Sequence, residues 1–283
     1  KAAVIGALLY TFAPYRFVDL YVRGAIGEHV AFIFPPLVLY FLFKLSKKQS
    51  YWYLVGGAFS LAGLVLAHNA ISLMFLPVII FYAAYLIWQS KHKKSLLLAS
   101  CFLLLLGFAL SAFFWLPAFA EGKYTLRDIV TGKEALTRFV PWQTFLYGPW
   151  SYGITGQFTV QFGIFQWIIL IVSLPLAFYL YKKKKPEWLI VGFCLSAFIF
   201  VAYFMTTYAR PLWEVITVVQ KFQFPWRFLS LSVFFAAVLG ALVSDNVFSQ
   251  SFFKSKVIQI ILFVLFIGAI LFFNKDYWYA KDY

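Results

Sequence analysis

Long apolar runs alternate with short polar breaks along almost the whole chain. A helix needs about 20 residues to cross the apolar core of a bilayer, and nine runs reach or approach that length. The runs span roughly residues 2–13, 28–46, 51–67, 70–89, 95–118, 159–181, 187–207, 227–245 and 257–273. The pattern predicts an all-α polytopic membrane protein, with about nine transmembrane helices in one transmembrane domain over residues 1–283.

The polar breaks fall into two classes by the cations they carry. Every second break carries only lysine, at residues 44–48, 91–94, 182–185 and 254–256. All six arginines lie in the alternate breaks, as Arg16, Arg23, Arg127, Arg138, Arg210 and Arg227. Because cytoplasmic loops carry an excess of positive charge, we expect a multi-pass protein of the plasma membrane with its lysine-rich loops in the cytoplasm and its arginine-containing loops outside.

The first arginine-containing break, residues 14–27, predicts a short helix lying at the outer membrane surface. The spacing of Arg16, Asp19 and Arg23 places three charges on one side of such a helix. Aromatic and aliphatic side chains occupy another side, as expected for an amphipathic interfacial helix.

Two later breaks are long enough to hold structure of their own. Residues 120–158 are predicted to form an outer loop region with a short helix. Residues 208–226 carry apolar positions at helical spacing, which predicts a second outer interfacial helix.

Composition narrows the function classes. The chain is 63% hydrophobic and 12% charged, whereas a soluble domain is about 25% charged. The net charge of +14 comes mainly from the lysine breaks, so it orients helices among membrane lipids and does not indicate a nucleic-acid partner. Cys101 and Cys194 lie inside apolar runs, and neither a disulfide nor a metal site is predicted. The chain enters an apolar run directly after Lys1, and we expect it to be a piece of a longer protein.

Candidate chemistry rests on polar side chains at the outer helix ends, because no P-loop, dinucleotide-binding or zinc-binding motif occurs. Arginine presents a planar fork of donors that suits phosphate and carboxylate. Histidine, asparagine and glutamine can donate hydrogen bonds to phosphate or hydroxyl oxygens. The predicted substrate-binding residues are Arg16, Arg23, His29, His68, Asn69, Arg210, Gln223 and Arg227.

Some of these residues have purely structural alternatives. His68 and Asn69 form a tight turn between two helices, where they either cap the turn or donate hydrogen bonds into an outer cavity. Arg210 and Glu214 are four residues apart and can pair along one helix.

Two acids, Glu28 and Glu121, are weak candidates for a catalytic base. Glu28 opens a membrane helix, where it is either a first-turn acid stabilised by the helix dipole or a group that faces a cavity. Glu121 lies near the outer interface, where it is either a general base or the partner of an arginine.

Four segments carry a resemblance to a known family: LLYTFAPYRFVDLYVRGAIGEHVAFIFPPLVLY, LAHNAISLMFLP, SAFFWLPAFAEGKY and FQFPWRFLSL. In this order they resemble the bacterial membrane family called 6-pyruvoyl-tetrahydropterin synthase-related, over nearly the whole chain. That family looks like a branch of the GT-C glycosyltransferase superfamily. The resemblance implies a GT-C-like fold and a lipid-linked phosphosugar, with a polyprenyl-phosphate carrier, used at the outer face.

The resemblance also implies which parts lie elsewhere. The hallmark acid of the superfamily sits in the first outer loop, which is expected upstream of Lys1. The catalytic acid, and any divalent metal held in the full-length protein, are therefore expected outside this chain, and no residue here is assigned as a metal ligand.

Three functions fit these observations. The first is a membrane glycosyltransferase-like enzyme whose arginines bind a lipid-linked phosphate. The second is a lipid or glycan transporter or flippase, which more often carries ionisable residues near the bilayer middle. The third is a non-catalytic membrane scaffold. Because the charges lie at helix ends, the sequence favours a site at the outer face.

Overall fold

A computed structural model describes residues 1–124, 134–148, 158–249 and 255–277. Within these ranges the backbone forms helices and turns and contains no strand, so the all-α prediction is confirmed. The α-helices in chain order are α1 (Ala2–Thr11), α2 (Pro14–Phe17), α3 (Ile26–Ala31), α4 (Phe34–Lys47), α5 (Tyr51–Ala67), α6 (Asn69–Gln89), α7 (Lys93–Leu110), α8 (Ala112–Ala120), α9 (Ile164–Lys182), α10 (Glu187–Phe204), α11 (Arg210–Val215), α12 (Thr217–Gln220), α13 (Leu229–Ser249) and α14 (Lys256–Asn274).

Length and composition make seven of the described helical segments able to cross a membrane. They are Ile26–Lys47, Asn69–Gln89, Lys93–Leu110, Ile164–Lys182, Glu187–Phe204, Pro225–Val247 and Lys256–Asn274. Ala2–Thr11 and Pro14–Val22 make an eighth candidate that is bent by 44°, and Tyr51–Ala67 is apolar but shorter. Large apolar side chains face outward, including Ile171 at 64% and Leu265 at 62% exposure. Such surfaces suit contact with lipid, and the molecule is a polytopic helical membrane protein.

The predicted helix over residues 95–118 is two helices, because the chain breaks at Ser111 between α7 and α8. The Ser111 hydroxyl donates to the carbonyl of Gly107 at 3.0 Å, and the Trp115 indole donates to the carbonyl of Phe108 at 2.9 Å. Carbonyls at the helix end thus keep hydrogen bonds inside an apolar environment.

The prediction of one continuous helix over residues 208–226 is wrong. The segment contains the 3₁₀ turn Thr207–Ala209 and the short helices α11 and α12. The side chain that anchors it is Trp213, which is fully buried and donates its indole hydrogen to the carbonyl of Phe204 at 2.9 Å. A helical stripe of aliphatic residues carries no information about such a single buried anchor.

The predicted outer loop region, residues 120–158, is described only in part. Its described portions include the 3₁₀ turns Gly122–Tyr124 and Trp142–Phe145. Residues 125–133, among them Arg127, and residues 149–157 lie outside the described residues.

The described residues divide into two compact units. The first unit comprises Lys1–Gly24, Arg138–Ile216 and Phe224–Tyr283. At its centre is α13, which contacts α1, α9 and α10. The second unit comprises Ala25–Thr137 and Thr217–Gln223, with α5 packed against α4, α6 and α7.

Small residues bring α1 and α13 close together in the first unit. A Cβ atom on Gly6 would lie 3.0 Å from both the Ala237 carbonyl oxygen and the Ala241 Cβ, and Gly240 leaves room for the Leu9 side chain. The Tyr10 ring lies edge-on to Phe234, with 6.3 Å between the centroids. The two helices therefore run antiparallel, and the end of α1 lies beside the start of α13.

We call this end of the first unit the arginine end, formed by residues 9–24, 161–166 and 224–230. The side-chain amide of Gln166 donates to the carbonyl of Leu9 at 3.3 Å, which places the start of α9 there. The other end of α9 carries the four lysines 182–185, about 28 Å away at 1.5 Å per residue. Arginines and lysines therefore lie at opposite ends of the first unit, as the alternation of breaks predicts.

The second unit shows the same division. Lys44, Lys47 and Lys48 lie at the end of α4, and the lysines among residues 91–94 lie between α6 and the first turn of α7. The Ser95 hydroxyl donates to the Gln49 side chain at 2.6 Å at that end. Residues 27–29 and 67–69, which include the polar residues Glu28, His29, His68 and Asn69, lie at the opposite end. A Cβ atom on Gly27 would lie 2.8 Å from the carbonyl oxygen of Ala67.

We expect Gly6→Val to destabilise the first unit by about 1–3 kcal/mol, because an added side chain meets the α13 backbone. Gly268→Val is the matched control, since a Cβ there meets no atom within 4 Å. The measurement is thermal unfolding of the purified protein in detergent, followed by circular dichroism. Equal midpoints for the two variants would show that the close approach of α1 and α13 does not stabilise the fold.

Candidate functional site

An ion pair organises the turn after α2 at the arginine end. The Val18–Val22 segment is a π-helical turn, in which the Arg23 amide donates to the Val18 carbonyl at 2.9 Å. The Arg23 guanidinium pairs with the Asp19 carboxylate and donates to the Tyr15 hydroxyl at 3.0 Å. Asp19 is fully buried and the Arg23 side chain is 12% exposed. Asp19 and Arg23 therefore lie on one side of this segment.

The Arg16 and Arg227 side chains are half-buried against aromatic rings. The Arg16 guanidinium carbon lies 5.5 Å from the centroid of Tyr10, and the Arg227 guanidinium carbon lies 5.0 Å from the centroid of Phe224. Such cation–π contacts stabilise a guanidinium without neutralising it. Both guanidinium groups lie in an environment that screens charge less than bulk water does.

Arg16 and Arg227 belong to the same region of the first unit. The Tyr10 ring that carries Arg16 packs on Phe234, which follows Arg227 by seven residues, or about two helical turns. Helix α2 itself contacts α13. The predicted association of Arg16, Arg23 and Arg227 at one end of the fold thus has a structural basis.

Three guanidinium groups and one carboxylate lie in this part of the arginine end. Asp19 pairs with Arg23 and also lies within electrostatic range of Arg16. Arg227 adds its guanidinium beside the start of α13. Grouped guanidinium donors suit an anion that brings several acceptor oxygens.

Trp226 adds a hydrogen-bond donor next to Arg227. Its ring stacks on Phe224, with 4.5 Å between centroids, and meets Phe158 edge-on at 5.2 Å. The indole nitrogen is buried and donates to no acceptor in the described part of the chain. A buried donor of this kind favours an acceptor from a ligand.

The polar end of the second unit holds a carboxylate and an imidazole. Glu28 is buried, and its Oε2 lies 3.9 Å from Nε2 of His68. His68 caps α6, because its Nδ1 accepts a hydrogen bond from the Ile71 amide at 3.2 Å. In the neutral imidazole Nε2 then carries the hydrogen and directs it toward Glu28. The capping alternative for the His68 turn is therefore the one that the structure shows.

Asn69 and His29 lie at the same end of the second unit. The side-chain oxygen of Asn69 is buried and accepts no hydrogen bond from the described residues. His29 stands next to Glu28 in α3, with its Nδ1 atom buried. The two residues therefore place polar atoms near the Glu28–His68 pair, as the sequence predicts.

The remaining candidates are paired with another side chain of the protein or are exposed. Arg210 pairs with Glu214 at 2.9 Å, and both side chains are at least half-exposed. Gln223, with a left-handed backbone at φ 67°, donates to the Glu134 carboxylate at 3.1 Å. Glu121 is exposed at the end of α8. Arg210 is thus in a surface ion pair, and Gln223 anchors a turn.

Some partners were not evident from sequence reasoning. Tyr10 and Tyr15 contact the arginines, and Glu134 holds Gln223 across 89 residues. Tyrosine at a helix end is common at membrane interfaces, so it gives no specific signal. A single sequence also contains no signal for a hydrogen bond between residues that are far apart in the chain. No group of three or more His, Cys, Asp or Glu residues able to hold a metal ion occurs in the described ranges.

The half-buried cations and the polar clusters of this membrane protein lie at the ends of its helices. The helix surfaces between these ends are apolar and suit contact with lipid. The chain belongs to the 6-pyruvoyl-tetrahydropterin synthase-related family of membrane proteins, which it matches over residues 1–276. It is similar to an uncharacterized protein of Lactococcus lactis subsp. cremoris (strain MG1363), at 23% identity over 208 residues. That match covers 68% of this chain and 32% of the relative, so the chain spans about a third of the relative's length. No solved structure matches.

Asp19→Asn is expected to lower the free energy of unfolding by about 3–5 kcal/mol, because it leaves the Arg23 guanidinium buried beside a neutral group. Glu214→Gln removes a carboxylate from the exposed Arg210 pair and should cost less than about 1 kcal/mol. Denaturant titration of both variants measures the difference. Similar losses in the two variants would show that burial does not strengthen the Asp19–Arg23 pair.

His68→Ala should destabilise the second unit by about 1 kcal/mol, because α6 loses its cap. His68→Asn keeps a side-chain acceptor at the cap and should retain most of that stability. The measurement is the thermal midpoint of each variant. If the asparagine variant is as unstable as the alanine variant, the contact between Nε2 and Glu28, and not the cap, is the stabilising interaction.

Proposed function

We propose that this protein is a GT-C-like membrane glycosyltransferase that binds the phosphate of a polyprenyl-phosphate-linked sugar at the arginine end of its first unit. The observation that carries the proposal is the placement of Arg16, Arg23 and Arg227 at one end of the first unit, partly buried, with Arg16 and Arg227 against aromatic rings. Guanidinium groups offer planar forks of donors that match phosphate oxygens. Partial burial makes their interaction with an anion stronger than it is in bulk water.

The position of these arginines favours a lipid-borne phosphate. They lie at the ends of helices whose outward surfaces are apolar, so a headgroup attached to a prenyl chain can reach them from the bilayer. The positive-inside rule orients the lysine ends toward the cytoplasm. On that orientation the arginine end faces the outer leaflet, where lipid-linked sugars are consumed.

The role of the arginines in the reaction is electrostatic. Transfer of a sugar from a polyprenyl phosphate leaves negative charge on the departing phosphate oxygens. Fixed guanidinium groups in a poorly screened environment stabilise that developing charge. The role proposed for the arginines does not depend on the identity of the catalytic acid or of any metal ion.

A flippase or transporter is the second candidate, and one observation favours it. The pair Ala2–Thr11 and Pro14–Val22 is bent by 44°, and broken helices line the binding sites of many transporters. The same arginines would then guide a phosphate headgroup across the bilayer. Sugar transfer and lipid movement between leaflets are separate assays, so the two functions can be distinguished.

In full-length protein in nanodiscs, Arg16→Gln and Arg227→Gln should each weaken the binding of polyprenyl phosphate by roughly tenfold or more. Each substitution removes a charged hydrogen-bonding group. Lys182→Gln is the matched control. It also removes a cation that lies over an aromatic ring, 4.5 Å from the Phe178 centroid, but at the opposite end of α9. Native mass spectrometry with titrated polyprenyl phosphate measures the affinities.

The same variants should lose sugar transfer from a polyprenyl-phosphate sugar, while the lysine variant retains it. Unchanged lipid binding in both arginine variants, with folding verified by thermal unfolding, would rule out this phosphate site. Phosphate binding without any sugar transfer, together with movement of labelled lipid between leaflets, would support the flippase instead.

A further inference from the structure

A cavity of about 350 Å³ opens at the arginine end of the first unit. It lies between the start of α9, the end of α14 and the segment before α9. Its polar side chains include Gln161, Gln166 and Asn274, and its apolar walls include Phe165 and Phe273. Its volume falls in the range of small-molecule sites.

The three amide side chains of this cavity are almost completely buried, with 6%, 4% and 6% exposure for Gln161, Gln166 and Asn274. Each amide nitrogen donates to a backbone carbonyl. Gln161 donates to Gly148 at 3.2 Å, Gln166 to Leu9 at 3.3 Å, and Asn274 to Ile270 at 2.8 Å.

These contacts determine how each amide is oriented. A carbonyl can only accept a hydrogen bond, so the nitrogen of each amide must face it. Gln161 uses its nitrogen a second time, since it also donates to the Tyr277 hydroxyl at 2.7 Å. The three side-chain oxygens accept no hydrogen bond from the described residues, and they are the remaining polar atoms of these amides.

Gly163 preserves room for one of these oxygens. Its backbone has φ 104°, and a Cβ there would collide with the side-chain oxygen of Gln166. A glycine adopts this conformation without strain. The start of α9 thus leaves the oxygen uncovered.

The cavity contains no formally charged side chain, because no Asp, Glu, Lys, Arg or His is among the described residues that line it. Beside the three amide oxygens, Tyr147 and Tyr277 bring hydroxyl groups to the lining. An anion finds no cation in this lining, and a dehydrated cation prefers ligand sets that include carboxylates. A neutral group that carries several O–H donors satisfies the oxygens and can lay its C–H surface on the phenylalanine rings.

We propose that this cavity binds an uncharged, hydroxyl-rich group, such as a sugar ring or a polyol, through the side-chain oxygens of Gln161, Gln166 and Asn274. This inference rests on the hydrogen-bond pattern of the cavity and is independent of the phosphate site. It is tested with neutral probes, so its failure and the failure of the phosphate proposal are distinguishable.

The experiment is saturation-transfer NMR on the full-length protein in nanodiscs. The probes are the methyl glycosides of glucose, galactose, mannose and N-acetylglucosamine, and glycerol. Asn274→Leu and Gln161→Leu each remove one acceptor and should weaken binding roughly 2- to 10-fold. Ile164→Trp fills the cavity at a residue that is 52% exposed and should abolish binding without removing a hydrogen bond. Gln89→Leu is the control, because that glutamine is exposed and bonds to Tyr85 in the second unit.

Transfer to at least one probe, reduced in the three cavity variants and retained in the control, supports the proposal. Thermal unfolding verifies that each variant is folded. Absence of transfer to every probe in the folded wild type overturns it. Transfer that all variants retain also overturns it. Displacement of a bound probe by inorganic phosphate or by calcium overturns it as well, because it would show an ionic site.

Discussion

The close approach of α1 and α13 is the contact on which the arginine end depends. Helix α1 (Ala2–Thr11) packs along α13. Gly6 and Gly240 remove the side chains that would separate the two backbones, as small residues do between membrane helices. Since Arg16 follows α1 and Arg227 precedes α13, this packing alone brings arginines from the two ends of the chain into one region.

The arginine end combines two polar environments of different chemistry. Three guanidinium groups with one carboxylate form a cationic region, and three amide oxygens form a neutral, acceptor-rich cavity. Pro14 lines the cavity and Arg16 follows it by two residues. A lipid-linked phosphosugar has the matching pair of groups, an anionic phosphate and a hydroxyl-rich ring. The two proposals are tested by separate experiments. A single ligand, a lipid-linked phosphosugar, carries the chemical groups that both proposals require.

The features that sequence could predict are those with a periodic or alternating signal. Apolar run length located the membrane helices, and alternation of lysine and arginine breaks separated the two ends of each unit. The spacing of Arg16, Asp19 and Arg23 predicted charges on one side of the segment, but the pairing of Asp19 with Arg23 came from the structure. Sequence reasoning missed Gln166 and Asn274, because a single amide inside or beside an apolar run is a weak signal, and its partner is a backbone carbonyl. It also joined residues 208–226 into one helix, because an apolar stripe does not reveal that Trp213 alone is buried.

The bend after α1 explains how charge can lie so close to an apolar bundle. Pro14 starts α2 at a position where its missing amide hydrogen costs nothing, and the chain then widens into the π-helical turn Val18–Val22. Such turns are uncommon and occur often at functional positions. Here the widened turn holds Asp19 and Arg23 side by side, so a fully buried carboxylate is paired with a cation whose side chain is 12% exposed. Arg16, on the turn before, lies within the field of the same carboxylate and against an aromatic ring, so both arginines of this segment are held at the arginine end.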